Sequence, residues 1–418
     1  MRNRWLIALS SIGLHISIGS VYAWSVLTKP IMAEMGITLK ETTWAFSLAI
    51  LFLGLSAGFL GSFVEKIGPK RSGLISMLFF GTGMFGTAFA ISEHSLPLLY
   101  LFYGLIGGIG LGVGYITPVS TLVKYFPGHR GFATGLAIMG FGFAALIAGP
   151  AMQWLTARYG LVDNFLILGS IYMMIMCASS LYLKPPEQNG SSGHAADIQR
   201  QGFSVGEATT TWQFAALWWI FFVNITCGIG LLAVASPMAQ EVVGMDAAAA
   251  ASMVGIIGLL NGAGRIFWST CSDYLGRGLT YALFFLIEIF AFYHLAGTQS
   301  AFFFQLLVFL IITCYGGGFS CMPAYLSDLF GTKHLSAIHG RVLTAWGLAG
   351  IVGPTIISIF RENTSGYDST LYFFAGCFVL NLVIAMALNT NLRLKLSIKK
   401  GHLIHRLRRS PFPSKGRL

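Results

Sequence analysis

Charge is scarce in this sequence. Asp, Glu, Lys and Arg together make up 10% of 418 residues, against 55% hydrophobic ones. A water-soluble domain carries about 25% charged residues, so water is not the main solvent of this chain. Cysteine is confined to six positions (177, 227, 271, 314, 321 and 377), with no CxxC pair and every one in or beside an apolar run. These read as small buried hydrophobes rather than a disulfide framework or a metal site, and neither metal nor cofactor is expected. No HExxH and no paired carboxylates within an apolar run occur, and the GxSxG match within one, Gly54-Leu55-Ser56-Ala57-Gly58, lies where the strand-to-helix turn of a nucleophile elbow has no place. The signatures of a membrane enzyme are therefore missing, and no catalytic residue is assigned. The glycine runs at 107–114 and 316–318 lack the Lys-Ser/Thr of a phosphate loop and lie inside apolar stretches, where close helix packing is the better reading.

Apolar sequence is what the chain has in plenty. It falls into stretches of about 20 residues, the length that crosses a hydrocarbon core of about 30 Å. Twelve can be placed, near 5–27, 43–64, 71–92, 96–125, 131–155, 160–184, 212–240, 247–272, 277–297, 300–326, 338–360 and 368–390. No small-residue cleavage site follows the first, which reads as a retained span and not a signal peptide. The segment 185–211 carries Pro185-Pro186, Gly190-Ser191-Ser192-Gly193 and mixed charges, the composition of a loop. The expected organisation is a six-helix bundle over 1–184, a cytoplasmic linker over 185–211, a second six-helix bundle over 212–390 and a basic cytoplasmic tail over 391–418. The fold class is all-α integral membrane protein with twelve transmembrane helices in two pseudo-symmetric bundles.

The net charge of +11 is concentrated at one end. Nine Lys and Arg and no acid fall between 393 and 417. A basic tail directly after a span is a cytoplasmic topology signal with affinity for anionic lipid, so membrane lipid and not nucleic acid is the expected partner. With the N-terminus placed inside, 21 of the 26 Lys and Arg lie on the cytoplasmic side. Four (Lys29, Lys40, Arg158 and Arg361) lie outside, and the one left over is Arg265, within a span. That asymmetry puts both termini in the cytoplasm.

The halves echo each other. Glu65-Lys66-Ile67-Gly68-Pro69-Lys70-Arg71, between spans 2 and 3, resembles Asp273-Tyr274-Leu275-Gly276-Arg277 between spans 8 and 9, with the glycines 208 residues apart. Gly149-Pro150 in span 5 and Gly353-Pro354 in span 11 repeat at 204 residues. A six-plus-six repeat about a central loop is the layout of a secondary transporter that rocks one half against the other.

Arg265 is the strongest single signal for a site. A cation in mid-span costs a few kcal/mol or more, so it should face the bundle interior. Guanidinium keeps its charge and grips a carboxylate with two parallel hydrogen bonds. Asn261 sits one turn earlier on the same face. The plainer alternative is a structural Arg tied to backbone carbonyls or to Glu288. Tyr115, about 15 Å from the cytoplasmic end of span 4, and Arg265, about 12 Å from that of span 8, lie at similar depths in opposite halves. Tyr22, Trp24, Tyr315 and Phe319 can wall the cavity or simply pack. For a proton, the candidates are Glu288, the only deep carboxylate, His15 in mid-span 1, and His294 near the outer end of span 9.

Those loops resemble the cytoplasmic motif of the major facilitator superfamily. Within it, Tyr125-Phe126-Pro127-Gly128-His129-Arg130-Gly131-Phe132-Ala133-Thr134-Gly135 resembles the span 4–5 signature of monocarboxylate porters and bacterial oxalate/formate antiporters. Gly19-Ser20-Val21-Tyr22-Ala23-Trp24 resembles their aromatic motif in span 1, and Ser327-Asp328-Leu329-Phe330-Gly331 fits as well. The resemblance covers about 5 to 390. It implies a substrate carboxylate held at Arg265 with Asn261, and a hydroxyl donated by Tyr115. It also implies a supporting rather than cavity-lining span 9. Where the oxalate antiporter pattern carries a Lys in span 11, this chain has Trp346, leaving a single cation in the cavity. One fixed charge matches one carboxylate.

The expected function is secondary active transport of a small monocarboxylate such as lactate, pyruvate or formate, with proton symport as the drive and exchange against a counter-anion as the alternative. A carboxylate sensor that transports nothing is the alternative of another class. Substrate contact is assigned to Arg265, Asn261, Tyr115, Tyr22, Tyr315, Phe319 and Trp346. Proton coupling is assigned to His15 or Glu288, and gating to Glu65, Lys66, Arg71, Asp273, Arg277 and Arg130.

Overall fold

A computed structural model describes residues 3–186, 202–364 and 366–408. Twelve long helices follow one another: α1 (Arg4–Met35), α2 (Leu39–Ile67), α3 (Pro69–Ser92), α4 (Leu96–Tyr125), α5 (Arg130–Tyr159), α6 (Leu161–Tyr182), α7 (Trp212–Val243), α8 (Ala247–Leu275), α9 (Arg277–Leu295), α10 (Ala301–Phe330), α11 (Leu335–Asn363) and α12 (Asp368–Arg408). Eleven are long and apolar enough to cross a membrane. The twelfth, α8, has 29 residues and carries Asn261 and Arg265. Among the described residues there is no strand.

Helices outrun the apolar stretches that announce them. α1 reaches Met35 rather than residue 27, because a backbone ladder needs no apolar side chains and stops only at Gly36, held at a left-handed φ of 65°. A four-residue 3-10 turn, Ser20–Ala23, interrupts it. α12 likewise continues to Arg408 through residues assigned to the tail by composition. Within the expected linker a short helix, Val205–Thr209, is capped reciprocally by Ser204 and Glu207. Most of that linker (187–201) and the tail from 409 lie outside the described residues.

The repeated glycines have one cause. Gly68 and Gly276 sit between α2 and α3 and between α8 and α9 with φ of 81° and 85°. Only glycine takes that conformation without strain, and it lets one helix end where the next begins.

Two six-helix bundles meet along two crossings, α2 on α11 and α5 on α8. Each crossing is made by a glycine pair. A Cβ on Gly54 would lie 2.8 Å from the Gly347 Cα, and one on Gly142 would lie 2.8 Å from the Gly262 Cα. In a bilayer, where apolar burial between helices gains little, such close backbone approach is what holds helices together. Gly258 and Gly255 lie one and two turns from Gly262 on the same face of α8, yet both look into open space. The bundles therefore close on the side that carries the α4–α5 and α8–α9 turns and part on the other. Phe59, Met174, Phe267 and Phe302 expose more than half of their surface on the outside of the bundles, as a lipid-facing wall requires.

Candidate functional site

Arg265 is fully buried, at 0% exposure, where the two bundles meet. Its Nε donates to Asn261 Oδ1 at 3.4 Å, the partner one turn earlier on α8. Its Nη1 donates across the interface to the Ile138 carbonyl on α5 at 3.2 Å. Its Nη2 is buried with no hydrogen-bond partner. The guanidinium carbon lies over the rings of Phe319 at 5.1 Å and Phe141 at 5.8 Å, contacts that favour a cation. Among the described residues no carboxylate neutralises it. Glu288, the acid proposed as an alternative tether, instead accepts from Asn224 Nδ2 at 3.0 and 3.2 Å within the second bundle.

An aromatic cage closes around this cation. Trp346 on α11 packs on Phe319 at 4.8 Å, Tyr115 at 5.2 Å, Phe141 at 5.6 Å and Tyr22 at 6.3 Å between ring centroids. Tyr22 and Tyr315, from opposite bundles, bring their hydroxyls to 3.5 Å on the parted side of the cage. The Tyr115 hydroxyl and the Trp346 Nε1 are buried without partners. A buried donor left unpaired costs roughly 1–3 kcal/mol. The cage thus holds three such donor groups, counting Arg265 Nη2, which is the donor chemistry that accepts a small anion.

Every residue assigned to substrate contact by sequence is in or against this cage. Trp24 is not: it packs on Tyr103, 4.0 Å between centroids, inside the first bundle. His15 lies behind Tyr115 and His294 sits beside Phe290 on the bundle surface. Sequence reasoning missed Phe141, which carries no polar signal. It also missed His339 on α11, buried with its Nε2 unpartnered and 6.1 Å from the Tyr115 ring. A second histidine near the start of an apolar span was the available signal.

The closed side is held by acids placed at helix starts. Asp273, at the end of α8, accepts from the backbone amides of Gly131 and Phe132 in the first turn of α5, both at 2.8 Å. Arg277 Nη2 pairs with the same carboxylate at 2.6 Å. In the related place, Glu65 of α2 accepts from the Ser336 amide in the first turn of α11 at 2.8 Å and lies 3.4 Å from His334 Nδ1. An anion at a helix N-terminus meets free N–H groups and the positive end of the dipole. Asp328 extends the latch, joining Arg130 at 3.1 Å to Arg277 at 3.0 Å. Its side chain is 41% exposed against 4% for Asp273, so Asp273 carries the larger share. Lys66 and Arg71 are exposed and make no ion pair among the described residues. Asp328 stood in a quoted motif, but no charge count shows that it bridges two arginines.

Two crossed bundles around a caged cation, latched on one side and parted on the other, define a membrane carrier. The chain belongs to the Major Facilitator Superfamily, whose family model matches residues 9–354. It is an integral membrane protein. Its relatives include the oxalate:formate antiporter of Oxalobacter formigenes, 28% identical over 91% of this chain and 92% of that one. The uncharacterized MFS-type transporter YhjX of Escherichia coli (strain K12) is 28% identical over 84% and 86%. Monocarboxylate transporter 4 of Rattus norvegicus is 25% identical over 90% and 81%. The fold matches that of the E. coli fucose:proton symporter FucP with a TM-score of 0.73 at 14% identity, covering 93% and 99% of the two chains.

Proposed function

We propose that this protein carries a small monocarboxylate across the inner membrane by alternating access, with proton symport as the driving force. The observation that carries the reading is the buried guanidinium of Arg265, with one nitrogen unpaired and no carboxylate partner among the described residues. A formate-, lactate- or pyruvate-like anion accepts from Arg265 and Tyr115 while Asn261 steadies the arginine. Tyr22, Tyr315, Phe319 and Trp346 shape the cavity. The bundles 1–184 and 212–390 rock as two bodies, with both termini and the latch in the cytoplasm. Release of Asp273 and Glu65 from the helix starts of α5 and α11 opens that face. Similarity to the oxalate:formate antiporter favours one second reading, exchange of one carboxylate for another.

The test is uptake of labelled lactate, pyruvate, formate and oxalate into proteoliposomes, with and without a pH gradient. Monocarboxylate uptake that rises with external acidity and vanishes in Arg265→Ala is expected. Uptake that needs a preloaded anion and ignores the gradient would replace symport with exchange.

A further inference from the structure

We propose that His15 and His339, one from each bundle and both against Tyr115, bind the transported proton, and that this proton and the anion at Arg265 bind cooperatively. The proposal rests on the symport reading above and assigns its proton site.

His15 is fully buried between α1, α4 and α5. Both of its ring nitrogens face backbone carbonyls: Nδ1 lies 2.5 Å from the Ala137 oxygen and Nε2 3.1 Å from the Tyr115 oxygen. Neutral imidazole has one N–H and one lone pair. One of those carbonyls therefore faces a lone pair of the ring rather than an N–H. Imidazolium donates to both. The pocket is shaped for the protonated ring.

A charge on this ring would stand in a fully buried pocket with a second cation nearby. That cation is Arg265, across the Tyr115–Phe141 layer. Tyr115 on α4 and Tyr22 on α1 itself are neutral phenols. α5 presents the Ala137 carbonyl, the Gly140 backbone and the Phe141 ring, α6 presents Ser179 and Ile175 at Gly13, and α11 presents His339 near Tyr115. No carboxylate acts on His15 among the described residues. A second positive charge therefore meets the cost of burial and repulsion from Arg265, and an anion at Arg265 relieves the repulsion. By linkage, each ligand then raises the affinity for the other by the same factor. Anion and proton load together, which is the condition for symport.

Tyr115 joins the two events. Its hydroxyl is unpaired toward the cage while its carbonyl receives His15. On its other flank His339 lies 6.1 Å away with Nε2 unpaired. His339 is four residues into α11, about 6 Å from its start, so it stands nearer the latched side. The proton enters from the parted side, leaving a water O–H bond as it forms the N–H bond at His15 Nε2. As the latch opens that N–H bond breaks, one forms at His339 Nε2, and it breaks in turn to return the proton to water on the other side.

The experiment compares wild type, His15→Gln and the double variant His15→Gln/His339→Gln in proteoliposomes, using whichever labelled monocarboxylate the wild type takes up. With one proton per anion, an imposed gradient of about one pH unit should concentrate label about tenfold in the wild type. Both variants are expected to lose that accumulation and the pH dependence of exchange. Variants that accumulate label as the wild type does, with the same pH profile, overturn the proposal. Should the variants fail to fold, proton uptake on anion addition is read directly on the wild type in weakly buffered detergent solution. About one proton per bound anion supports the pair, and none overturns it. A wild type that exchanges anions but ignores the gradient sinks the proton pair and leaves the anion site standing. A wild type that binds no monocarboxylate sinks the functional reading itself.

Discussion

Arg265 reaches out of its own bundle to donate to the carbonyl of Ile138 in the other, at 3.2 Å. The cation that would hold an anion is thereby also a strut between the halves. An anion competing for that guanidinium alters a contact across the interface, which gives substrate a direct hold on the rocking equilibrium.

Replacing Arg265 by lysine keeps the charge and removes the planar fork. Losing one charge-assisted hydrogen bond of about 1.5–3 kcal/mol predicts anion binding weaker by roughly 10- to 100-fold. Arg265→Ala should abolish binding. Calorimetric titration of the purified protein with the transported anion checks both, and wild-type affinity in the lysine variant would remove the bidentate geometry from the account.

Tyr115→Phe deletes a hydroxyl that has no partner in the empty site. Thermal stability should therefore hold or rise, by up to about 1–3 kcal/mol as the unpaired donor is removed, while anion affinity falls about tenfold or more. A clear drop in melting temperature with unchanged affinity would reassign this tyrosine to packing.

Asp273→Asn removes the charge that serves two backbone amides and Arg277 at once. The latched state should lose roughly 1–3 kcal/mol, shifting the population toward the form open on the terminal side. Spin-label distances between the α4–α5 and α10–α11 turns should lengthen. Asp328→Asn, at an exposed position, should produce a smaller change in the same direction.

A valine at Gly142 puts its Cβ 2.8 Å from the Gly262 Cα and 3.2 Å from the Arg265 Nε. Overpacking of this kind costs about 1–3 kcal/mol. Because the clash lies at the α5–α8 crossing, it should fall on the closed conformation and cut transport at least about tenfold while the protein still purifies as a monodisperse species. Crosslinking across that crossing is the accompanying measurement, and wild-type transport rates would show the crossing to be looser than described.

Glu288→Gln should leave gradient-driven uptake in place. The acid is buried on α9 with its carboxylate bound to Asn224 on α7, and glutamine preserves its shape. Loss of the gradient response would move proton coupling from His15 to this carboxylate.

Composition alone determined that the chain crosses a membrane, because 55% hydrophobic residues in runs of this length have no other solvent. Twelve spans in two related halves were legible for the same reason, and so was the repeat at Gly68 and Gly276, where a left-handed backbone leaves glycine no substitute. Arg265 announced itself because a cation in an apolar run is too costly to be idle. Helix ends were less legible: α1 and α12 run past their apolar stretches, since backbone hydrogen bonding does not stop where hydrophobicity does. The tertiary structure decided what separates by hundreds of residues and meets in space. It set Arg265 against Ile138, Glu288 against Asn224, and Asp273 against the first turn of α5. It also placed Phe141, which carries no polar signal, and His339 beside Tyr115. Local chemistry is written along the chain, but which donors are left unpaired depends on partners that only the packing of the two bundles supplies.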